Sequence, residues 1–260
     1  MTLSKNSDKE AVQQFFAATA TDYSKFFLSR RTGSSFSFRE RLALAVQMTG
    51  DISGRLLDCA CGTGEITAAI LSSKRFANTT IIDLSPRMLE LAQQRMETQL
   101  KTRGNCQMEF ILSDIFAFDA QSRAGQYDLI LCLGLIAHTG RLDELLLKLK
   151  TLLSPGGRIL LQSSLLDHAG NRMVRSFTQE RYYHQHGYRI SYFRHHDIML
   201  AAQKAGLDMV ATQRFTFGFP FGDRLCAWIN YYLEKTMKRW SRSHGAEALY
   251  VLRHSFPAQK

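Results

Sequence analysis

No stretch of this sequence approaches the ~18 consecutive apolar residues that a membrane-spanning helix needs, and the polar segment Met1 to Glu10 contains no signal-peptide core. A cytoplasmic protein is the expectation. Cysteine is sparse and odd in number, five residues in 260, which argues against a disulfide framework and suits a reducing compartment. Cys59 and Cys61 stand two apart, but no further His/Cys pair completes a zinc site, so no metal is expected. Both read as small buried residues beside a turn. Internal repeats and low-complexity tracts are absent as well.

Acidic residues are also short: 23 Asp and Glu face 33 Lys and Arg, a net charge of +10. The deficit is local. Residues 55–170 balance at 12 basic and 12 acidic, whereas residues 171–260 hold 14 basic and 6 acidic, with 16 of the 28 aromatics. A basic, aromatic last third suggests an acidic partner, an anionic substrate or a membrane surface, the plain alternative being a solvated face with aromatic packing.

What is present centres on Arg55-Leu56-Leu57-Asp58-Cys59-Ala60-Cys61-Gly62-Thr63-Gly64-Glu65. A short apolar run suited to a buried parallel strand leads into a glycine-bearing turn, and a helical pattern follows from Glu65 to Ser72. Gly62 and Gly64 permit positive φ and remove side chains where backbone must approach a ligand. The following helix aims its first N–H groups at that ligand. A second strand ends in Asp83, 19 residues after Gly64, near the ~20-residue offset at which a carboxylate meets ribose hydroxyls. Ser85 and Pro86 open the next helix as N-cap and N1, with Met88 on its apolar stripe and Gly104 ending the segment. A third strand, 108–112, ends at Ser113-Asp114-Ile115. There Asp114 could accept the amine of an adenine while Ile115 packs on the ring.

Strands and helices alternate onward. The fourth strand, Tyr127 to Leu133, exits through Gly134 to Gly140 and carries His138. A Leu-rich helix, 142–153, stops at Ser154-Pro155-Gly156-Gly157, and a fifth strand spans 158–162. Alternation of this kind implies a parallel sheet with right-handed crossovers. Two helical patterns precede it: 8–20, with Val12, Phe15, Phe16 and Thr19 on one face, and 36–48, with Phe38, Leu42 and Ala45. They read as a lid or as a packing appendage. Residues 165–193 read as irregular, a helix spans 196–204, and last strands fall at 209–212 and 248–252. Between these strands a helical stripe carries Leu225, Trp228, Ile229, Tyr232 and Trp240, with Arg224, Lys235, Lys238 and Arg239 away from it.

Leu57-Asp58-Cys59-Ala60-Cys61-Gly62-Thr63-Gly64 resembles the first motif of class I S-adenosylmethionine-dependent methyltransferases, with Ala60 in place of the first glycine. Asp83 matches that family's ribose-binding acid, Asp114-Ile115 its adenine site, and Ser154 to Gly157 the turn before the fifth strand. The resemblance covers about residues 50–255. It implies an α/β, Rossmann-like fold: a seven-stranded, mostly parallel sheet with helices on both faces and an antiparallel last strand. The expected division is an N-terminal helical lid over 1–50 and a methyltransferase domain over 51–255, with acceptor-side insertions at about 165–193 and 215–245 that roof the pocket.

The same resemblance implies S-adenosyl-L-methionine as cofactor and S-adenosyl-L-homocysteine as product. The expected cofactor-binding set is Tyr23, Asp58, Ala60, Cys61, Gly62, Gly64, Asp83, Leu84, Met88, Asp114, Ile115 and Leu133. Tyr23 and Arg31 resemble the aromatic and basic residues that meet the cofactor's methionine end. His138 is the candidate catalytic base, since an imidazole suits proton transfer near neutrality, with His184, His186, His195 and His196 behind it. A nicotinamide enzyme would want Gly or Ala where Thr67 stands.

The aromatic insertions favour a small aromatic or lipid-like acceptor, carrier-bound or anionic, with O-methylation preferred. Nucleic acid is disfavoured by the lack of an N-P-P-[YFW] segment. A non-catalytic cofactor-binding module acting through the basic tail, and an interfacial enzyme docked by the helix at 223–240, are the other readings.

Overall fold

The computed structural model describes residues 3–24, 30–100 and 106–255. Gly104 lies outside these residues, as do residues 1–2 and 25–29 of the expected lid. The chain order is α1 (Leu3–Ser24), α2 (Gly33–Met48), β1 (Gly54–Asp58), α3 (Glu65–Ser73), β2 (Phe76–Asp83), α4 (Pro86–Gln99), β3 (Gln107–Leu112), β4 (Tyr127–Cys132), α5 (Leu135–Thr139), α6 (Leu142–Leu152), β5 (Leu153–Ser164), α7 (Ala169–His186), α8 (His195–Lys204), β6 (Leu207–Phe215), α9 (Gly222–Thr236), α10 (Lys238–His244) and β7 (Glu247–His254).

The strands form one sheet in the order β3-β2-β1-β4-β5-β7-β6. The first five pair in parallel, and β7 runs antiparallel to both β5 and β6. Neighbouring residues of one strand serve opposite faces. Leu57, Ile82, Ile130 and Leu161 join the core under α6 and α8. Leu56, Ile81, Leu129 and Leu160 join the core under α2, α3 and α4. Burial on both faces is why these strands are continuous apolar runs rather than alternating ones. Strand order reverses between β1 and β4, which leaves a crevice at their carboxyl ends, the usual ligand position in open α/β sheets.

Two expectations need correction. Residues 165–193 are not irregular: α7 occupies Ala169–His186. Only Gly170 of that helix is buried, while Met173 and Phe177 are exposed, so the 3.6-residue apolar stripe that reveals a core-facing helix is missing. The roof comes from the segment expected as an N-terminal lid and not from 165–193 or 215–245. Across the carboxyl edge lies α1, held by the Gln13 amide donating to the Leu84 carbonyl at 3.1 Å and by packing of Phe15 on Tyr182, His186 and Tyr188 beside α7.

Candidate active site

The carboxyl edge opens into a cavity of about 290 Å³. From the sheet side it is lined by Cys59, Ala60, Gly62, Asp83, Leu84, Met88, Asp114, Ile115, Phe116 and Leu133, and from α5 by Leu135, His138 and Thr139. The roof is α1, which contributes Lys9, Val12, Phe16 and Tyr23, and α2 contributes Arg41. No residue of 165–193 or 215–245 lines it, so the expected acceptor-side insertions do not roof this space.

The turn after β1 is built by backbone geometry and cross-braces. Gly62 has φ +54, and a Cβ there would meet nothing within 4 Å, because the residue faces open cavity. Ala60 lies outside the left-handed region, which only Thr216 and Phe221 occupy among the described non-glycine residues; a methyl at this point of the motif therefore costs no backbone strain. Asp83 holds the turn from β2. Its carboxylate accepts the Gly62 N–H and the Ser85 N–H, each at 2.8 Å. Cys61 Sγ also approaches it at 3.9 Å. A carboxylate offers about four acceptor positions, so acceptor capacity is left for ribose hydroxyls. Burial pushes the Asp83 pKa up to about 6, against the lowering effect of those N–H groups.

Three expected cofactor residues sit behind the turn rather than in the cavity. Gly64, at φ +79, is the N-cap of α3, and a Cβ there would crowd Ala92 Cβ at 3.0 Å and Cα at 3.1 Å. Its glycine serves the packing of α3 on α4. Asp58 is 5% exposed and takes the Thr67 hydroxyl from α3; burial raises its pKa to about 7. Thr67, the residue that departs from the nicotinamide pattern, is thus the partner of the motif's acid. Cys61 donates its N–H to the Ile82 carbonyl at 3.0 Å, tying the turn to β2.

At the far end, the Asp114 carboxylate accepts the Phe116 N–H at 3.0 Å and pairs with Lys9 of α1 at 3.4 Å. At the other end, Tyr23 is buried, which raises its phenol pKa, with Arg41 hydrogen-bonded to it. Arg31 is exposed and stands outside the cavity. Arg41 takes the place expected of it: its guanidinium lies 4.9 Å from the Phe38 ring and reaches Gln162 at 3.5 Å. Gln162 in turn donates to Glu247 at 2.7 Å. The trace of Arg41 in the sequence is a basic residue inside the apolar pattern of Phe38, Leu42 and Ala45.

His138 projects from the short α5, with its ring edge-on to Phe16 at 4.9 Å. Burial and the Arg41 charge press its pKa down to about 4, so it is neutral at physiological pH. The remaining candidate histidines lie elsewhere: His186 packs on Phe15, His195 meets the Tyr250 hydroxyl at 3.2 Å, and neither they nor His184 and His196 line the cavity. Among the described residues, five side chains bury a polar atom without a partner. Three of them, Arg41 Nε, His138 Nδ1 and Thr139 Oγ1, belong to this cavity. Buried polar groups are normally satisfied, so three orphans in one space mark a ligand site. A glycine cradle, a carboxylate with spare acceptor positions for a diol and a second carboxylate for an amine together fit S-adenosylmethionine.

Known proteins resemble this chain in sequence and in fold. The family described as "Methyltransferase domain" matches residues 27–212. A demethylmenaquinone methyltransferase of Leptospira interrogans is 28% identical over 156 residues, 57% of this chain and 58% of that protein. Malonyl-[acyl-carrier protein] O-methyltransferase of Paenibacillus sp. strain JDR-2 is 27% identical over 109 residues, 41% of this chain and 37% of that protein. The chain thus spans between about a third and three fifths of the length of these curated relatives. Magnesium protoporphyrin IX methyltransferase of Synechocystis PCC 6803, solved with bound S-adenosylhomocysteine, superposes with TM-score 0.64 over 95% of this chain and 99% of its own, at 17% identity, a likeness of fold. With the family matched over the greater part of the sequence and the fold superposing on that of a solved methyltransferase, the chain belongs to the methyltransferase-domain family, the S-adenosylmethionine-dependent methyltransferases of class I Rossmann-like fold.

Proposed function

We propose that this chain methylates a small apolar or aromatic acceptor seated at the His138 end of the cavity, on an oxygen that loses its proton. The observation that carries this reading is His138, which lines the cavity, is neutral and holds a buried Nδ1 without a partner. A neutral imidazole with a free acceptor position is what a general base requires. Phe16, Leu133 and Leu135 beside it supply apolar walls, and the Thr139 hydroxyl offers a second polar contact. The names of the relatives agree with a small acceptor, since they refer to a quinone precursor, a carrier-bound malonyl group and a porphyrin.

S-adenosylmethionine, when bound, supplies the electrophilic methyl group. The chain's own residues then divide the work. Gly62 and Ala60 leave room for the ligand against the turn. Asp83 would hold the ribose and Asp114 the adenine amine. Arg41, close to Tyr23, would meet the carboxylate of the methionine end. The roof of α1 covers the cavity with Val12, Phe16 and Tyr23, and shielding from water would strengthen each of these polar contacts. His138 takes the acceptor's proton at Nδ1.

Extracts from cells with and without the gene, incubated with purified protein and methyl-labelled cofactor, test the reading by mass spectrometry. A small molecule that accumulates unmethylated in the deletion strain and gains label in vitro is the expected result. With that acceptor in hand, His138→Gln should lower turnover by roughly 10²–10⁴-fold while cofactor affinity stays within a few-fold. Label appearing only in nucleic acid, or unchanged turnover in the variant, would overturn the proposal.

A further inference from the structure

The helix α9 is inside out. Its inward face is polar. Asp223 accepts the N–H groups of Gly33 and Ser34 at the start of α2, at 2.6 and 2.9 Å, and Asn230 donates to it at 2.8 Å. Glu234, 2% exposed, accepts the N–H groups of Phe217 and Gly218 at 2.6 and 2.8 Å. Gly33 and Gly222 leave the space that Asn230 fills, and a Cβ at either would collide with its amide. These contacts pin α9 in one orientation, and its apolar residues therefore point outward.

That outward face is large and aromatic. Leu225 is 75% exposed, Trp228 62%, Ile229 51% and Tyr232 46%. Trp228, Ile229 and Tyr232 follow helical spacing, and Leu225 joins them across a kink at Cys226. The face continues onto neighbouring segments. Phe219 is exposed beside it, and Phe221, at the N-cap of α9, touches the ring of Phe177 on α7, itself 75% exposed. Contiguous apolar surface of this kind marks an interaction site rather than chance exposure.

Charge selects the partner. Between Gly222 and His244 both acids, Asp223 and Glu234, are turned inward on backbone N–H groups, whereas Arg224, Lys235, Arg239 and Arg242 are exposed. Along α9 and α10 the outward charge around the apolar face is therefore positive, and on α7 the exposed Glu180 is paired with Arg189. Trp and Tyr beside Leu and Ile, rimmed by Lys and Arg, is the composition of a helix that lies in a bilayer interface. We infer that the α7–α9 face docks this protein on an anionic lipid surface, with the side chains of Trp228, Ile229, Leu225 and Phe177 entering the headgroup layer and Arg224 and Lys235 meeting lipid phosphates. The inference is independent of the reaction proposed above, because none of these residues lines the cavity.

Co-sedimentation tests it, using the full chain and vesicles of phosphatidylcholine with or without an equal part of phosphatidylglycerol. The protein should sediment with the anionic vesicles, release as salt rises, and stay soluble with phosphatidylcholine alone. Of its two tryptophans, Trp228 lies on this face and is 62% exposed, so emission should shift to shorter wavelength on binding. Leu225→Glu with Trp228→Glu should reduce partitioning at least tenfold. Arg224→Ser with Lys235→Ser should cost about fivefold per charge removed. Thermal melting and S-adenosylhomocysteine affinity should be unchanged in both double variants, since all four positions are exposed. Failure to sediment with anionic vesicles, or equal sedimentation of the variants, overturns the inference. So does light scattering that shows a dimer which the Glu variants dissociate, because the face would then belong to a second copy.

Discussion

Replacing Asp83 by Asn removes one charge at the point where the glycine turn and the ligand meet. The carboxylate already accepts two backbone N–H groups and a longer contact from Cys61 Sγ, and its remaining acceptor capacity is what ribose hydroxyls would use. Asn keeps one acceptor oxygen and turns an NH₂ toward an N–H donor. Hydrogen bonds to a charged acceptor contribute about 1.5–3 kcal/mol each, so the change should cost about 3 kcal/mol of cofactor binding, on the order of a hundredfold in Kd. Acidity gives a sharper signature. With a pKa raised to about 6 in the free protein, Asp83 is mostly ionised at pH 7 and mostly protonated at pH 5. Binding that requires the anion should then weaken roughly tenfold between those values. Titration calorimetry of S-adenosylhomocysteine across this range should show that slope in the wild type and a flat profile in Asp83→Asn. A wild-type Kd that does not change with pH, or a variant Kd within threefold of wild type, refutes the reasoning.

The two glycines of the turn should separate under the same substitution. Gly62→Ala carries only the αL penalty of about 1–2 kcal/mol but places a methyl where the ligand must lie, so melting should shift slightly while cofactor binding is lost. Gly64→Ala adds crowding against Ala92, so urea denaturation should show the larger loss of stability while folded protein keeps its affinity; the reverse ranking would contradict the assigned roles. Glu234 governs a pH effect on stability. Burial raises its pKa to about 7 from an ordinary 4.5, so the folded state binds the proton more tightly than the unfolded chain. Stability from this group is fully present below about pH 4.5 and is lost as pH rises through about 7, by roughly 3 kcal/mol. Denaturation midpoints measured between these values should fall less steeply in Glu234→Gln; equal slopes would dismiss Glu234 as the cause.

Sheet and cofactor edge were legible in the sequence because both leave local traces. Strands covered on two faces, such as Tyr127–Cys132, appear as apolar runs, and the interval from Gly64 to Asp83 reflects one crossover of fixed length. The division of labour within the motif was not legible. Gly62 and Gly64 look alike in the sequence, yet one faces a ligand and the other a helix, and only the position of Ala92 distinguishes them. Arg41 was missed because one basic residue in a helical pattern does not reveal which cavity its guanidinium enters. The hidden helix α7 follows from its packing: it touches α1 through ring contacts and leaves its remaining apolar side chains in solvent. The orientation of α9 depends on pairings over long sequence separation, Asp223 with Gly33 and Ser34, which no periodicity encodes.

The roof has a kinetic consequence. A single helix, α1, covers the adenine end through Lys9 on Asp114, the middle through Phe16 on His138 and the opposite end through Tyr23 beside Arg41. Lifting it breaks an ion pair, an amide–carbonyl bond and an aromatic contact together. For the reaction proposed above, spent cofactor and methylated acceptor would then leave through one door, in a single gated event of the kind that sets turnover in many enzymes.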